Sequence, residues 1–161
     1  MEQKHLLSNT VYSIALIDDE KELIDILGKR LQRSGYTVFY GPDDKSIHSI
    51  EFCDVDVVLL DLTMPKLNGL KVLQIIKHAN PLTEVLILTG TGSVNAAVEA
   101  MKMGDFSFLT KPCEFSYLEQ EIQKAIERKK MKETKVRAVE AMQYLSEDKR
   151  NKLKEKIFFS R

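Results

Sequence analysis

The chain has 161 residues, 43% hydrophobic and 30% charged, an ordinary composition for one globular domain with an extension. Cys53 and Cys113 are too few for a disulfide framework and are not spaced as a CxxC metal site, and no run approaches the roughly 18 apolar residues of a membrane helix. The zero net charge conceals a split, because residues 127–161 hold twelve Lys and Arg against six Asp and Glu, so a basic tail follows an acidic body.

Residues 1–11 read as an N-terminal arm. They carry Glu2, Lys4 and His5 and lack an apolar core, so no signal peptide is expected and the cytoplasm is the default compartment. Residues 12–17, Tyr-Ser-Ile-Ala-Leu-Ile, form a first strand that stops at Asp18-Asp19. Leu23, Ile26, Leu27 and Leu31 then recur at helical spacing, and Gly35 is a helix stop. A second strand over 36–40 closes at Gly41-Pro42 and leads to a weak helix over 43–52. The third strand, 55–60, ends at Asp61. A loop with Pro65 and Asn68-Gly69 follows, then a helix with Leu70, Leu73 and Ile76 on one face. The fourth strand, 84–88, runs into the small-residue loop Thr89-Gly-Thr-Gly-Ser93 and a helix over 94–103. The fifth strand, 106–109, precedes Lys111-Pro112 and a long helix from Phe115 onward.

The strands are near-continuous apolar runs, the pattern of strands buried on both faces of a parallel sheet. Five β-α repeats over residues 12–130 predict a doubly wound α/β domain of the flavodoxin-like order 2-1-3-4-5, with helices on both faces. In such folds ligands bind beyond the carboxyl ends of the strands. The residues there are Asp18, Asp19, Asp61, Thr89 and Lys111. Three converging carboxylates repel one another and suit a hard divalent cation such as Mg²⁺ (or Mn²⁺), which takes carboxylates, waters and phosphate oxygens. Adding a lysine cation and a threonine hydroxyl makes a receptor for a tetrahedral dianion. Phosphoryl transfer needs little more, and a carboxylate can itself be the nucleophile. Taken singly, each residue has a plainer reading: Asp18-Asp19 as a helix cap, Asp61 and Thr89 as turn residues, Lys111 as a surface lysine. Their common position at strand ends is what joins them into one site.

These residues resemble the receiver domain of two-component response regulators, over residues 13–128. The resemblance rests on Ile17-Asp18-Asp19-Glu20, Leu60-Asp61-Leu-Thr-Met-Pro65 with Gly69, Leu88-Thr89-Gly90, and Phe108-Leu109-Thr110-Lys111-Pro112. It implies that Asp61 is a phosphoacceptor served by a histidine kinase or phosphotransfer protein. It implies that Asp19 and Asp61 hold Mg²⁺ directly, with Asp18 acting through water and the Thr63 backbone carbonyl as a further ligand. Thr89 would bind a phosphoryl oxygen, Lys111 would pair with the phosphate, and Phe108 would hold the switch aromatic position. It also implies a cis Lys111-Pro112 bond. The segment from Leu88 to Gly104 is similar to receivers of sigma-54-dependent activators, although no ATPase domain follows within the chain.

The remaining residues, 131–161, form a helical tail. Phe115, Leu118, Ile122, Ala125 and Ile126 face inward, residues 128–135 are too polar for a core, and Val136, Val139, Met142 and Leu145 resume an apolar stripe. Ser146-Glu147-Asp148 resembles a helix start, and Leu153, Ile157 and Phe158 mark a last short helix. Three readings stay open for the tail: a dimerising helix, a stripe folded back on the body, or a linker to an output domain. No DNA-recognition helix with its own core is visible, so no direct DNA binding is expected. Two other functions are weighed. A haloacid-dehalogenase-like phosphatase also uses an aspartyl phosphate and Mg²⁺, but its Asp-x-Asp motif follows its first strand, and here Asp61 is followed two residues on by Thr63. A degenerate, docking-only receiver would not need this complete set of acids, threonine and lysine. The expected function is therefore a phospho-switch rather than an enzyme acting on external substrates.

Overall fold

Uninterrupted aliphatic runs become strands because β-branched and aliphatic side chains pack well on a surface covered from both sides. The computed structural model describes residues 10–41, 55–90, 92, 94–104 and 107–160. The expected helix over 43–52 lies outside the described residues. The elements run β1 (Ser13–Ile17), α1 (Lys21–Arg33), β2 (Thr37–Tyr40), β3 (Val57–Leu60), α2 (Gly69–Ala79), β4 (Glu84–Thr89), α3 (Val94–Met103), β5 (Ser107–Thr110), α4 (Phe115–Glu140) and α5 (Glu147–Phe158). All strands are parallel, in the order β2-β1-β3-β4-β5 that the sequence predicts. Every residue of β1, β3 and β4 is buried, whereas the edge strand β2 is largely exposed and the edge strand β5 is mostly half-buried.

Alternate residues of the central strands build two cores. Ala15, Ile17, Val58, Leu60, Val85 and Ile87 meet Val72, Leu73 and Ile76 of α2 and Ala100 of α3. Ile14, Leu16, Val57, Leu59, Leu86 and Leu88 meet Ile24 and Leu31 of α1 and Leu118, Ile122, Ala125 and Ile126 of α4. The period of two on each strand thus separates α2 and α3 from α1 and α4. Gly35 ends the α1 segment at φ 93°, a backbone angle that favours glycine.

The tail is not a separate stretch. Helix α4 runs without interruption for 26 residues, across the boundary drawn at residue 130, which makes it about 39 Å long. Its polar middle is partly buried, contrary to expectation, because carboxylates at the amino ends of the strands meet its cations. Glu84, 4% exposed at the start of β4, accepts an ion pair from Arg128 (3.2 Å) and one from Lys132 (3.1 Å). Lys129 reaches Asp56 at 2.5 Å, and Asp56 also accepts from the Ser13 backbone N–H (2.8 Å) and hydroxyl (3.0 Å). Helix α5 packs back on α4, Val139 is buried, and Arg150 donates to the Leu145 carbonyl at 3.1 Å. Part of the stripe at 136–145 is therefore covered from within the chain. Ser146 is the N-cap of α5, with Glu147 and Asp148 in its first turn, although its side chain makes no capping hydrogen bond.

Removing one member of a buried ionic group leaves its partners desolvated and unpaired, which costs several kcal/mol. Glu84→Ala is accordingly expected to lower stability by about 3 kcal/mol, read from the midpoint of urea unfolding with unchanged slope. A loss under 1 kcal/mol would show that Arg128 and Lys132 find water instead.

Candidate functional site

The carboxyl ends of β1, β3, β4 and β5 bring the predicted residues together. Asp18 follows β1, Asp61 follows β3, Thr89 ends β4 and Lys111 follows β5. Asp61 is 4% exposed. Its Oδ1 accepts from the Thr63 backbone N–H (2.8 Å) and from the Thr89 hydroxyl (2.7 Å), and its Oδ2 accepts from Lys111 Nζ at 3.1 Å. The Lys111 ammonium also donates to Asp18 Oδ2 (2.5 Å) and Glu20 Oε1 (3.0 Å). Asp18 Oδ1 accepts from the Glu20 backbone N–H at 2.9 Å, which fixes the turn out of β1. The Lys111-Pro112 peptide is cis, as the resemblance implies.

The Thr63 and Thr89 hydroxyl oxygens lie 2.6 Å apart. Thr89 has one hydroxyl hydrogen and spends it on Asp61, an ionised acceptor, so the hydrogen between the two hydroxyls must come from Thr63. The result is a directed chain, Thr63 to Thr89 to Asp61.

Burial pushes the Asp61 carboxyl upward, but the Thr63 N–H, the Thr89 hydroxyl and the Lys111 ammonium outweigh it and hold Asp61 below the ordinary carboxylate value. Burial dominates at Asp18 and lifts it above that value, against the opposing pull of Lys111 and the Glu20 N–H. At Lys111 burial favours the neutral amine, but Asp18, Glu20 and Asp61 together raise it well above the usual lysine range, so the ammonium is permanent at neutral pH.

One carboxylate oxygen from each of Asp18, Asp19 and Asp61 lies within 4.8 Å of the others. Octahedral Mg²⁺ with bonds near 2.1 Å places its oxygens about 3 to 4.2 Å apart, so this cluster fits one such ion with a small contraction or one bridging water. The three candidate ligands are all carboxylate oxygens, hard donors that suit Mg²⁺ or Mn²⁺ over softer metals.

Gly69 marks a close approach at which the loop after Asp61 closes. A Cβ there would stand 2.7 Å from Leu62 Cα and 3.1 Å from the Asp61 carbonyl oxygen. Asn68 caps α2 through its side chain on the Leu70 and Lys71 N–H groups and bridges back to Thr63. Phe108 is partly buried and packs on the core beneath α2 and α3.

Residues 14–123 match the profile of the response regulator receiver domain, two-thirds of the chain. The chain belongs to the response regulator receiver family. The receiver is 35% identical over 123 residues to the transcriptional regulatory protein GlrR of Escherichia coli K12, a match covering 76% of this chain and 28% of that protein. It resembles a crystallised receiver domain protein of Clostridium thermocellum with a TM-score of 0.69 and 35% identity, covering 75% of this chain and 98% of the other. It resembles NtrX of Brucella abortus with a TM-score of 0.68 and 28% identity, covering 78% of this chain and 28% of NtrX. The chain thus spans under a third of the length of the curated relatives it matches. Among the described residues no helix is long and apolar enough to cross a membrane.

Two partners in this receiver went unrecognised in the sequence. Glu20 shares the lysine, a role the run Asp18-Asp19-Glu20 could have suggested. The Thr63 hydroxyl supports Thr89, whereas the sequence pointed only to its backbone carbonyl.

Without a divalent cation, Lys111→Met should destabilise the receiver by about 3 kcal/mol at pH 7, because two buried carboxylates lose their cation. In the native protein the depressed Asp61 value stabilises the fold above the unfolded carboxyl value and is lost only as pH falls through the folded one. In the variant the unpaired carboxylates regain protons at higher pH, so the deficit should shrink toward pH 4.5. Urea unfolding in EDTA at both pH values measures it; an equal deficit at both would remove Lys111 from this role.

Proposed function

We propose that this receiver is a phospho-switch in which Asp61 accepts a phosphoryl group from a histidine kinase or phosphotransfer protein. The observation that carries this reading is the buried Asp61 carboxylate held ionised among Thr89, Lys111 and the Asp18 and Asp19 carboxylates. A carboxylate oxygen of Asp61 attacks phosphorus, the N–P bond of the phosphohistidine breaks, and an acyl phosphate forms. Lys111, placed on Asp61 Oδ2 at 3.1 Å, is positioned to pair with the new dianion. The Thr89 hydroxyl, 2.7 Å from Oδ1, is within reach of a phosphoryl oxygen. Asp18, Asp19, Asp61 and the Thr63 carbonyl would hold Mg²⁺, which supplies charge neutralisation to the incoming phosphoryl group. This is a signalling module and not an enzyme acting on external substrates. Phe108, which pairs with Ile87 two residues before Thr89 in the β4–β5 register, is the side chain through which the change would pass to the surface.

The tail is read as an intramolecular extension. Since α5 packs on α4 and Val139 is already buried, pairing of two copies through residues 136–145 would first have to displace α5.

Incubation with Mg²⁺ and acetyl phosphate should add one phosphoryl group by intact mass, and Asp61→Asn should abolish it, as should EDTA. An undiminished gain in either case overturns the assignment. Lys111 bears on the metal as well. Its ammonium occupies oxygens of both Asp18 and Asp61, so it competes for them with a cation. Lys111→Ala should therefore raise Mg²⁺ affinity, by about thirtyfold if one charge about 4 Å from the divalent ion is relieved at bulk-water screening. Calorimetric titration checks this, and weaker binding in the variant would be inconsistent with competition.

A further inference from the structure

The three acceptors of the Lys111 ammonium are not equivalent. The side chains of Asp18 and Asp61 are largely buried, and each also brings an oxygen into the group it forms with Asp19, where a divalent cation fits. The Glu20 side chain is 61% exposed and stands outside that group. Its backbone is fixed, because its N–H donates to Asp18 Oδ1 at 2.9 Å and it is the N-cap residue of α1. A side chain at that position ordinarily turns back onto the first N–H groups of the helix. That of Glu20 makes no capping hydrogen bond; its Oε1 accepts from Lys111 Nζ at 3.0 Å, across 91 residues of chain. An ion pair this exposed adds little to stability, so the contact serves the lysine rather than the fold.

We propose that Glu20 is a positioning residue that keeps the Lys111 ammonium beside Asp61 once a divalent cation has drawn on Asp18 and Asp61. The proposal rests on the reading of Asp61 as phosphoacceptor. Without the cation, three carboxylates share the three hydrogens of one ammonium. A cation on Asp18, Asp19 and Asp61 takes up the charge of two of those carboxylates and repels the ammonium, which would otherwise swing into water on its long flexible stem. Glu20 is the acceptor that the cation does not claim. The Lys111 backbone N–H donates to the Thr89 carbonyl at 2.9 Å, so the stem starts from a fixed point and Glu20 fixes its other end. The ammonium is thereby held near Asp61 before a phosphoryl group arrives, and the loss of its rotamer freedom precedes the reaction. When the acyl phosphate forms, a phosphoryl oxygen takes over from Asp61 Oδ2 as acceptor, and the lysine pairs with it after a short shift.

Lysine Nζ NMR of the full chain reads the ammonium directly, with Lys111→Arg assigning its signal. In saturating Mg²⁺ the Lys111 signal should persist in the native protein and vanish by exchange with water in Glu20→Gln and Glu20→Asp. Aspartate keeps the charge and is a favoured N-cap, so that variant folds, but its carboxylate ends about 1.5 Å short of the lysine. With acetyl phosphate and saturating Mg²⁺, the rate at which the intact mass gains a phosphoryl group should fall about fivefold in both variants, the size of one exposed ion pair. Loss of the native signal on adding Mg²⁺, its survival in Glu20→Gln, or a native rate in Glu20→Asp overturns the proposal. If the native protein gains no phosphoryl group, the phosphoacceptor reading fails, and the NMR signal alone then decides the role of Glu20.

Discussion

A carboxylate buried to 4% exposure at the end of a parallel sheet is tolerable only if its charge is met, and the Lys111 ammonium on Asp61 Oδ2 meets it. The same ammonium holds Asp18, so one cation ties the turn after β1 to the turns after β3 and β5. The strand order makes this affordable in distance: β1 and β3 are neighbours, and β4 and β5 follow directly. Everything else at that pole, from the Thr63 N–H to the Gly69 close approach, shapes the loop so that Asp61 stays in this position.

The amino pole of the sheet solves the same electrostatic problem with the signs arranged differently. There the carboxylates Asp56 and Glu84 sit at or just before strand starts, and the cations come from one helix, as Arg128, Lys129 and Lys132. Arg128 also reaches the Ser107 hydroxyl at 3.2 Å, so α4 is fastened to β5 as well as to β4. The long helix α4 is therefore attached along its length, first by apolar residues and then by charges, before α5 turns back on it.

The fold was legible because the apolar runs of β1, β3 and β4 have no polar interruption, and because Gly35, Asn68-Gly69 and Asn80-Pro81 punctuate the helices. The site was legible because strand-end residues converge by topology alone. Strand limits moved by one or two residues, as at β3, which begins at Val57 rather than Val55. The buried charges of α4 were not legible. Lys129 and Asp56 are 73 residues apart, and Lys132 and Glu84 are 48 apart, so no local pattern announces that a polar stretch will be packed. The hydroxyl of Thr63 was missed for a related reason: its partner is Thr89, on another strand end.

The directed chain from Thr63 through Thr89 to Asp61 has a further consequence. Thr63 donates to Thr89 and Thr89 donates to Asp61 Oδ1, an oxygen that would be a poorer acceptor in an acyl phosphate than in the free carboxylate. The hydroxyl rotors would then turn toward the new phosphoryl oxygens by rotation about C–O bonds, which needs little displacement of heavy atoms. In this receiver the first record of phosphorylation would be written in the polarity of a hydrogen-bonded wire, and the motion of side chains would follow from it.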